Sequence, residues 1–363
     1  MFGRLSKTAP VVAALACLAI APVTAHAQKV DEVTLGWPSQ LSVSMAHIAF
    51  GQELGFFEEE NINLQIESSN AGSLPLLQQL QNGGLDVGYI AVESLIIAEQ
   101  NQGITFDLQF AYNYMRRSIW EMIALADSPV NEVTDLAGKT IGVGSPAFGN
   151  VPITKAILRS SGVDPESVSI LGVGLGGSAF RALRAGDIDV LNLFDTMHAA
   201  LEASGVPIKR IPLPSEYTDH SSQGFMFHKD TIAENPDLVE RIGRAMAKST
   251  IACDANAEGC VKAFWKQRPG LKPSGNDDVE NLRRQKLVVE TRQSRLMWFP
   301  DDIEQKFGAF REKDWELLLQ EMTSGGTIKE APADASKYYT NDFVDAFNDF
   351  DTDEVIQRAK NWK

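Results

Sequence analysis

The feature that most constrains this chain is an internal repeat. TLGWPS at residues 34–39 has the form of a buried strand running into a turn, and TIGVGS at 140–145 has the same form 106 residues later. After the first come LQIESSNAGS, closing on Ser73, the helical pattern LPLLQQLQNGG and the strand LDVGYIAV. After the second come VSILGVGLGGS, closing on Ser178, then AFRALRAG and DIDVLNLFD. Ser73 and Ser178 stand 105 apart and Asp86 and Asp189 stand 103 apart, so the offset hardly drifts across the unit. Each copy alternates strand and helix. That calls for parallel strands joined by right-handed crossovers, with ligands outside the carboxyl ends of the strands. The expected fold is α/β with two lobes, each a doubly wound, mostly parallel sheet.

Boundaries follow from the repeat. Residues 28–120 and 222–363 are expected to form lobe one with additional C-terminal helices packing back on it, and residues 121–221 to form lobe two. Two crossings, near Trp120 and near Gln223, would make a hinge. Ahead of the repeat, Arg4 and Lys7 precede APVVAALACLAIAPV, and Ala25-His26-Ala27 has the small-x-small form of a cleavage site before Gln28. Residues 1–27 read as a secretory signal peptide, which places the mature chain in the periplasm. Cys17 reads as part of that signal, since Ala14-Leu15-Ala16 is a poor lipobox. The remaining cysteines, Cys253 and Cys260, form an even count in an oxidising compartment and favour a local disulfide over two free thiols. A net charge of −15 argues against nucleic acid or anionic lipid as a partner.

LGVGLGGS also spells G-x-G-x-x-G through Gly172, Gly174 and Gly177, with Asp195 about where a ribose-binding acid would fall. The first copy has SSNAGS at the corresponding place. What the copies share is therefore a small-residue turn ending in serine at a helix start, which offers free N–H groups to a ligand. A short helix and an exported location also weigh against a nicotinamide site, and no cofactor is expected.

The order of pieces resembles the substrate-binding proteins of ABC importers, in the group serving alkanesulfonates, taurine, nitrate and thiamine-pyrimidine precursors. The residues that carry the resemblance are GFFEEENINLQIE, the Gly-x-Ser turn and helix leading to NGGLDVGYIA, the entry DLAGKTIGVGS, AGDIDVLNLF and the return HKDTIAENPDLV. It implies a two-lobed, type II periplasmic-binding-protein fold and no catalysis. It also implies a small molecule held in the interlobe cleft by a monomeric receptor, which delivers it to a membrane permease driven by an ATPase.

Strand ends nominate the site. In lobe one they are Trp37, Ser39, Ser73, Glu93, Tyr112, Asn113 and Tyr114, with Arg116 just beyond. In lobe two they are Ser145, Asn150, Ser178 and Asp195. Trp37 suits stacking on a planar ligand or a place in the core. Ser73, Ser145 and Ser178 suit helix caps that also present N–H groups to an anion. Glu93 and Asp195 would favour a ligand with an amine or an N–H-rich heterocycle if they point inward, or form a solvated rim if they do not. Arg116 and Arg117 could meet a sulfonate or carboxylate, or lie on the hinge surface. One of Tyr112, Tyr114 and Trp120 is expected to touch the ligand.

Among His47, His198, His220 and His228 there is no H-E-x-x-H, and no G-x-S-x-G elbow accompanies them. His47 reads as helix-face packing or solvent, and His198 as helix surface within reach of the cleft. Three alternatives stand beside the receptor. One is a thiamine-pyrimidine-synthase-like enzyme on the same fold, which lacks its cysteine cluster here. The others are a secreted binding protein serving a sensor without a permease, and an oxidoreductase built on the glycine turn.

Overall fold

The structure, a computed structural model, describes residues 1–3, 29–69, 72–146, 148–275, 277–301 and 304–363. The signal peptide, its cleavage site and Cys17 fall almost wholly outside the described residues. Ten strands form two five-stranded sheets. The strands are β1 (Asp31–Trp37), β2 (Ile62–Ser68), β3 (Val87–Ala91), β4 (Leu108–Met115), β5 (Trp120–Leu125), β6 (Thr140–Val143), β7 (Ser169–Gly172), β8 (Val190–Phe194), β9 (Ile208–Ile211) and β10 (Gln223–His228).

The first sheet has the order β2-β1-β3-β10-β4 and the second β7-β6-β8-β5-β9. In the first, β1 pairs in parallel with β2 and β3, while β10 is antiparallel to both β3 and β4. In the second, β6 pairs in parallel with β7 and β8, while β5 is antiparallel to β8 and β9. Each sheet thus takes its antiparallel strand directly from a crossing: β5 enters the second sheet and β10 returns to the first. Trp120 already pairs with Phe194 in the second sheet, so the forward crossing is residues 116–119 and the return is residues 212–222.

The repeat has a physical content that the spacing hinted at. In lobe one the Thr34 amide donates to the Asp86 carboxylate at 2.7 Å, and the Asp86 amide donates back to the Thr34 carbonyl at 3.1 Å. In lobe two Thr140 and Asp189 make the same clasp at 2.8 and 2.9 Å. The clasp fixes the register of the neighbouring parallel strands, Leu35 beside Val87 and Ile141 beside Val190. Glycine stands at 36 and 142 because a Cβ there would lie 2.4 Å from Leu85 Cδ1 or 2.3 Å from Ile188 Cδ1. Glycine lets the side chain close onto the strand, where a methyl would have to displace its tip.

Both faces of each sheet are covered, as parallel sheets require. On one face of the first sheet Val33, Leu35 and Phe225 pack with Phe50, Ile242 and Met246; on the other, Ile90, Phe110 and Met226 pack with Leu80, Ile96 and Trp315. In the second sheet Ile141, Val143 and Val190 pack with Ala156 and Ile157, and Ile123, Leu191 and Leu193 pack with Leu183 and Leu201. Cys253 and Cys260 are bonded, tying the end of helix Pro236–Ala255 to helix Ala257–Gln267.

The C-terminal helices pack on lobe one, and two of them also reach lobe two. Helices Pro236–Ala255 and Ala257–Gln267 do pack on lobe one, against helix Ala46–Glu53. Helix Asp278–Leu296, however, packs along helix Asp195–Ala203 of lobe two, and helix Glu312–Ser324 packs against helix Asn150–Ser160. Both keep lobe-one contacts as well, through Val288 and Val289 in the first and Trp315, Leu318 and Met322 in the second, so they bridge the lobes. Their sequence periodicity shows that a face is buried but not what covers it.

Candidate functional site

At the carboxyl ends of its strands, lobe one holds an aromatic wall that is buried with the lobe-one core. Trp37 closes β1, Tyr89 lies in β3 and Tyr114 near the end of β4. Sheet order brings them together: β3 adjoins β1, and only β10 separates β3 from β4. The Trp37 and Tyr89 rings stack with centroids 4.1 Å apart at 16°, and Tyr114 meets Tyr89 edge-on at 5.1 Å and 76°. Each phenol is anchored. The Tyr89 hydroxyl donates to Gln223 Oε1 at 3.2 Å, and the Tyr114 hydroxyl bonds His47 Nε2. Burial lowers the His47 pKa to about 3 and raises that of Tyr114 well above the usual phenol range. The imidazole is therefore neutral.

Across the lobe contact runs a buried charge network. Arg292, from helix Asp278–Leu296, donates to Asp195 Oδ1 at 2.6 Å and to Thr196 Oγ1 at 3.3 Å, at the start of helix Asp195–Ala203. Asp195 is fully buried, and desolvation raises its pKa against the opposing pull of Arg292. Arg295, one turn along, donates to Glu121 Oε1 at 2.6 Å. The other Glu121 oxygen faces His198 Nδ1 and Arg210 Nε, each at 3.2 Å. Burial opposes the ionisation of Glu121, but His198, Arg210 and Arg295 together outweigh it and hold the pKa at about 2. Among the described residues, Asp195 Oδ2, Arg292 Nε and Arg295 Nε find no hydrogen-bond partner at this contact.

Glu93 differs. It begins the helix Val92–Gln102 at the carboxyl end of β3, is partly exposed, and faces lobe two: a Cβ on Gly149 would lie 2.9 Å from its Oε1. Among the described residues no arginine or lysine pairs with it. Burial raises its pKa to about 7, with Glu321 adding to the rise and His220 opposing it. His220 and Glu321 form their own pair beside the return crossing, Nε2 to Oε2 at 2.9 Å, while His220 Nδ1 bonds the Ser221 carbonyl at 3.0 Å. Both ring nitrogens face acceptors, and the carboxylate partner raises the His220 pKa against the effect of burial.

The nominated residues divide. Trp37 and Tyr114 meet edge-on with ring centroids 6.5 Å apart, Glu93 faces Gly149, and Asp195 is paired with Arg292. Ser39 is exposed after β1. Ser73 opens helix Ser73–Gln81, and its hydroxyl accepts from the Ala91 amide at 3.1 Å, so it ties two strand ends together and caps no N–H of its own helix. Ser145 lies in the turn after β6, where its carbonyl accepts from the Phe148 amide. Ser178 is exposed, its hydroxyl donating to the Leu175 carbonyl at 3.2 Å.

Four nominations are corrected. Tyr112 is buried against Phe225 and Phe347, a core position. Asn113 is fully buried and donates to Ser221 Oγ and the Ala309 carbonyl, pinning the C-terminal segment. Arg116 is buried beneath the carbonyls of Leu296 and Trp298 with its guanidinium 4.0 Å from the Phe299 ring, so it is unavailable to an anion. Asn150 donates to Asn192 at 3.0 and 3.1 Å inside lobe two. In each case a C-terminal or core partner invisible in the local sequence covers the side chain. His47 is enclosed, in keeping with helix-face packing, and His198 is enclosed and not on a helix surface.

Sequence reasoning missed Tyr89, Gln223, Arg292, Arg295 and the His220–Glu321 pair. Tyr89 was legible as an inward strand residue two before the strand end. Arg292 and Arg295 arrive from a helix roughly a hundred residues beyond Asp195, and no local signal announces them. Surface recesses lie elsewhere: one of about 570 Å³ is lined by Glu316, Leu319, Gln320, Thr323, Ser324 and Ala331 and includes no residue of the aromatic wall.

Two α/β lobes joined by two crossings, with aromatic and ionisable groups gathered between their strand ends, define a periplasmic-binding-protein fold. Within that class the chain belongs to the NMT1/THI5-like family, whose model matches residues 43–259. No curated protein matches it. Among solved structures, a protein of Bordetella bronchiseptica RB50 shares 19% identity, covering 87% of this chain and 96% of that one, with a TM-score of 0.61. The alkanesulfonate-binding protein SsuA of Xanthomonas axonopodis pv. citri, bound to MOPS, shares 16% over 74% and 86%, with a TM-score of 0.53. The desulfurization enzyme DszB, solved as a mutant in complex with biphenyl-2-sulfinic acid, shares 13% over 88% and 99%, with a TM-score of 0.57. At these identities the likeness is one of fold.

Proposed function

We propose that this protein is a periplasmic solute receptor of an ABC importer. It captures a small polar organic molecule between its lobes and hands it, unaltered, to a membrane permease driven by an ATPase. The observation that carries the reading is the Trp37–Tyr89–Tyr114 wall at the carboxyl ends of the first sheet, set against the helix starts of the second across two short crossings. Ligand that bridges the lobes favours the closed arrangement by its differential affinity, and a permease can read that closure. The sulfonate-binding neighbour of the same fold supports the receptor class.

A binding role is also supported by how the nucleophile-bearing and basic side chains are employed. Cys253 and Cys260 are joined to each other, His47 is kept neutral by burial and bonded to Tyr114, and His198 is held by Glu121. Among the described residues, no helix is long and apolar enough to cross a membrane. The test is a thermal-shift screen of the mature chain against small sulfonates, carboxylates, amines and heterocycles, with X-ray scattering on each hit. A hit should raise the melting temperature, compact the particle and be recovered chemically unchanged. Trp37→Ala should weaken it tenfold or more. Turnover of the hit compound would replace this reading with an enzymatic one.

A further inference from the structure

Connecting segments ordinarily run over the surface with their polar groups solvated. The return crossing, residues 212–222, instead ends in a buried polar run, His220, Ser221 and Ser222, and helix Glu312–Ser324 lies against it. That helix reaches the crossing with two buried carboxylates. Glu321 bonds His220 Nε2 at 2.9 Å, and Asp314 accepts from Ser221 Oγ at 2.8 Å. Just ahead of the helix, Arg311 donates to the Asp219 carbonyl at 2.9 Å. Its apolar face, Trp315, Leu318 and Met322, packs in lobe one. Its end meets lobe two, where Arg159 donates to the Ser324 carbonyl at 3.1 Å and a Cβ on Gly325 would lie 2.7 Å from the Pro152 carbonyl oxygen. One helix therefore touches lobe one, the crossing and lobe two.

Its hold on the crossing carries a protonation requirement set by geometry. Both ring nitrogens of His220 face acceptors, Nδ1 the Ser221 carbonyl at 3.0 Å and Nε2 the Glu321 carboxylate at 2.9 Å. A neutral imidazole has one N–H and satisfies one of them, whereas an imidazolium satisfies both. Glu321 has no substitute: among the described residues its Oε1 finds no hydrogen-bond partner, and its ion pair is with His220. Neighbouring charges are matched locally, Asp314 by Arg311 and Asp219 by Arg117. The other carboxyl facing the pair is Glu93, which accepts from its own backbone amide and faces uncharged Gly149. Burial works against a charged His220, but Glu321, the Ser221 carbonyl and Asp314 outweigh it and raise its pKa.

We propose that helix Glu312–Ser324 is a proton-dependent clamp on the hinge: with His220 charged it fastens the return crossing to both lobes, and loss of that proton frees the crossing and widens the range of lobe angles. The clamp is a property of the hinge and stands apart from what the cleft carries. Its sign follows from the pair. The fastened state belongs to pH below the folded-state titration of His220 and is lost as pH rises through it.

The experiment uses the mature chain without added ligand. Proton NMR of the imidazoles between pH 5.5 and 9, with His220→Gln identifying the His220 signal, should show His220 titrating above the usual histidine range. Solution scattering over the same range should show a compact particle at the acid end and a rise in radius of gyration with the same midpoint. His220→Gln and Glu321→Gln should each give the expanded particle at every pH, while Glu93→Gln keeps the transition. Circular dichroism and cooperative unfolding at pH 6 establish that each variant is folded. Should either clamp variant fail to fold, the parent chain decides, because the two midpoints must coincide there. The clamp is overturned if His220 titrates without a change in scattering, if His220→Gln retains the parent's pH dependence, or if Glu93→Gln alone removes it, which would assign the proton to that carboxyl.

Discussion

Glu93 links the cleft to the stability of the fold through its titration. Its pKa rises from 4.5 to about 7 in the folded chain, chiefly by desolvation. The folded state therefore holds more protons than the unfolded state between those values, and stability falls as pH rises through that window. The shift corresponds to about 3 kcal/mol at most, reduced by the partial exposure of the side chain. Glu321 and His220 are the charged groups that face it, and Gly149 on the opposite lobe is uncharged. Denaturant melts at pH 4.5 and 7.5 should show Glu93→Gln gaining on the parent chain at the higher pH; parallel curves would mean the group is solvated. A second residue-scale prediction concerns the repeat. Gly36→Ala and Gly142→Ala each press a methyl onto Leu85 or Ile188, and overpacking of this kind costs about 1–3 kcal/mol. Urea midpoints should fall in both variants, with similar m-values.

Among the elements, the helix pair Pro236–Ala255 and Ala257–Gln267 owes part of its geometry to the Cys253–Cys260 bond. Asn256 caps the second helix, its side chain accepting from the Gly259 amide at 2.8 Å, and donates to the Ala359 carbonyl at 2.7 Å. The turn is therefore held by hydrogen bonds as well as by sulfur. Closing so short a loop restricts the unfolded chain by about 2–3 kcal/mol on the chain-entropy account. Replacing both cysteines with alanine should lower the melting temperature by several degrees without changing affinity for any ligand found, since the pair packs on helix Ala46–Glu53 and contributes no ring to the aromatic wall. A loss of affinity in that variant would show that these helices reach the cleft.

At the scale of the whole molecule, the C-terminal helices act as a bridge. Arg292 and Arg295 hold lobe two through Asp195 and Glu121, and Arg159 of lobe two donates to the Ser324 carbonyl at 3.1 Å from the opposite direction. Enclosed pairs of this kind lose about 3–5 kcal/mol when one member is removed, because the other is left uncompensated. Arg295→Ala should therefore increase the radius of gyration measured by solution scattering and broaden the thermal transition. Asp195→Asn should do so more strongly, because it strands Arg292. Unchanged scattering in both would assign the contact between lobes to apolar packing alone.

The sequence by itself determined the duplicated plan, because a parallel strand–helix unit leaves a period, a clasping aspartate and an obligatory glycine wherever it is copied. Asp86 with Asp189 and Gly36 with Gly142 were legible for that reason, as were the strand ends at Trp37 and Glu93 and the pairing of two neighbouring cysteines. Only the tertiary structure decided what covers each of those strand-end residues. Tyr112, Asn113, Arg116 and Asn150 sit at the right places along the chain and are covered by groups remote from them, while Arg292 and Tyr89 supply the enclosed charge and the stacking surface. Periodicity records which face of an element is buried; the partner that buries it is chosen by packing between segments that share no local pattern.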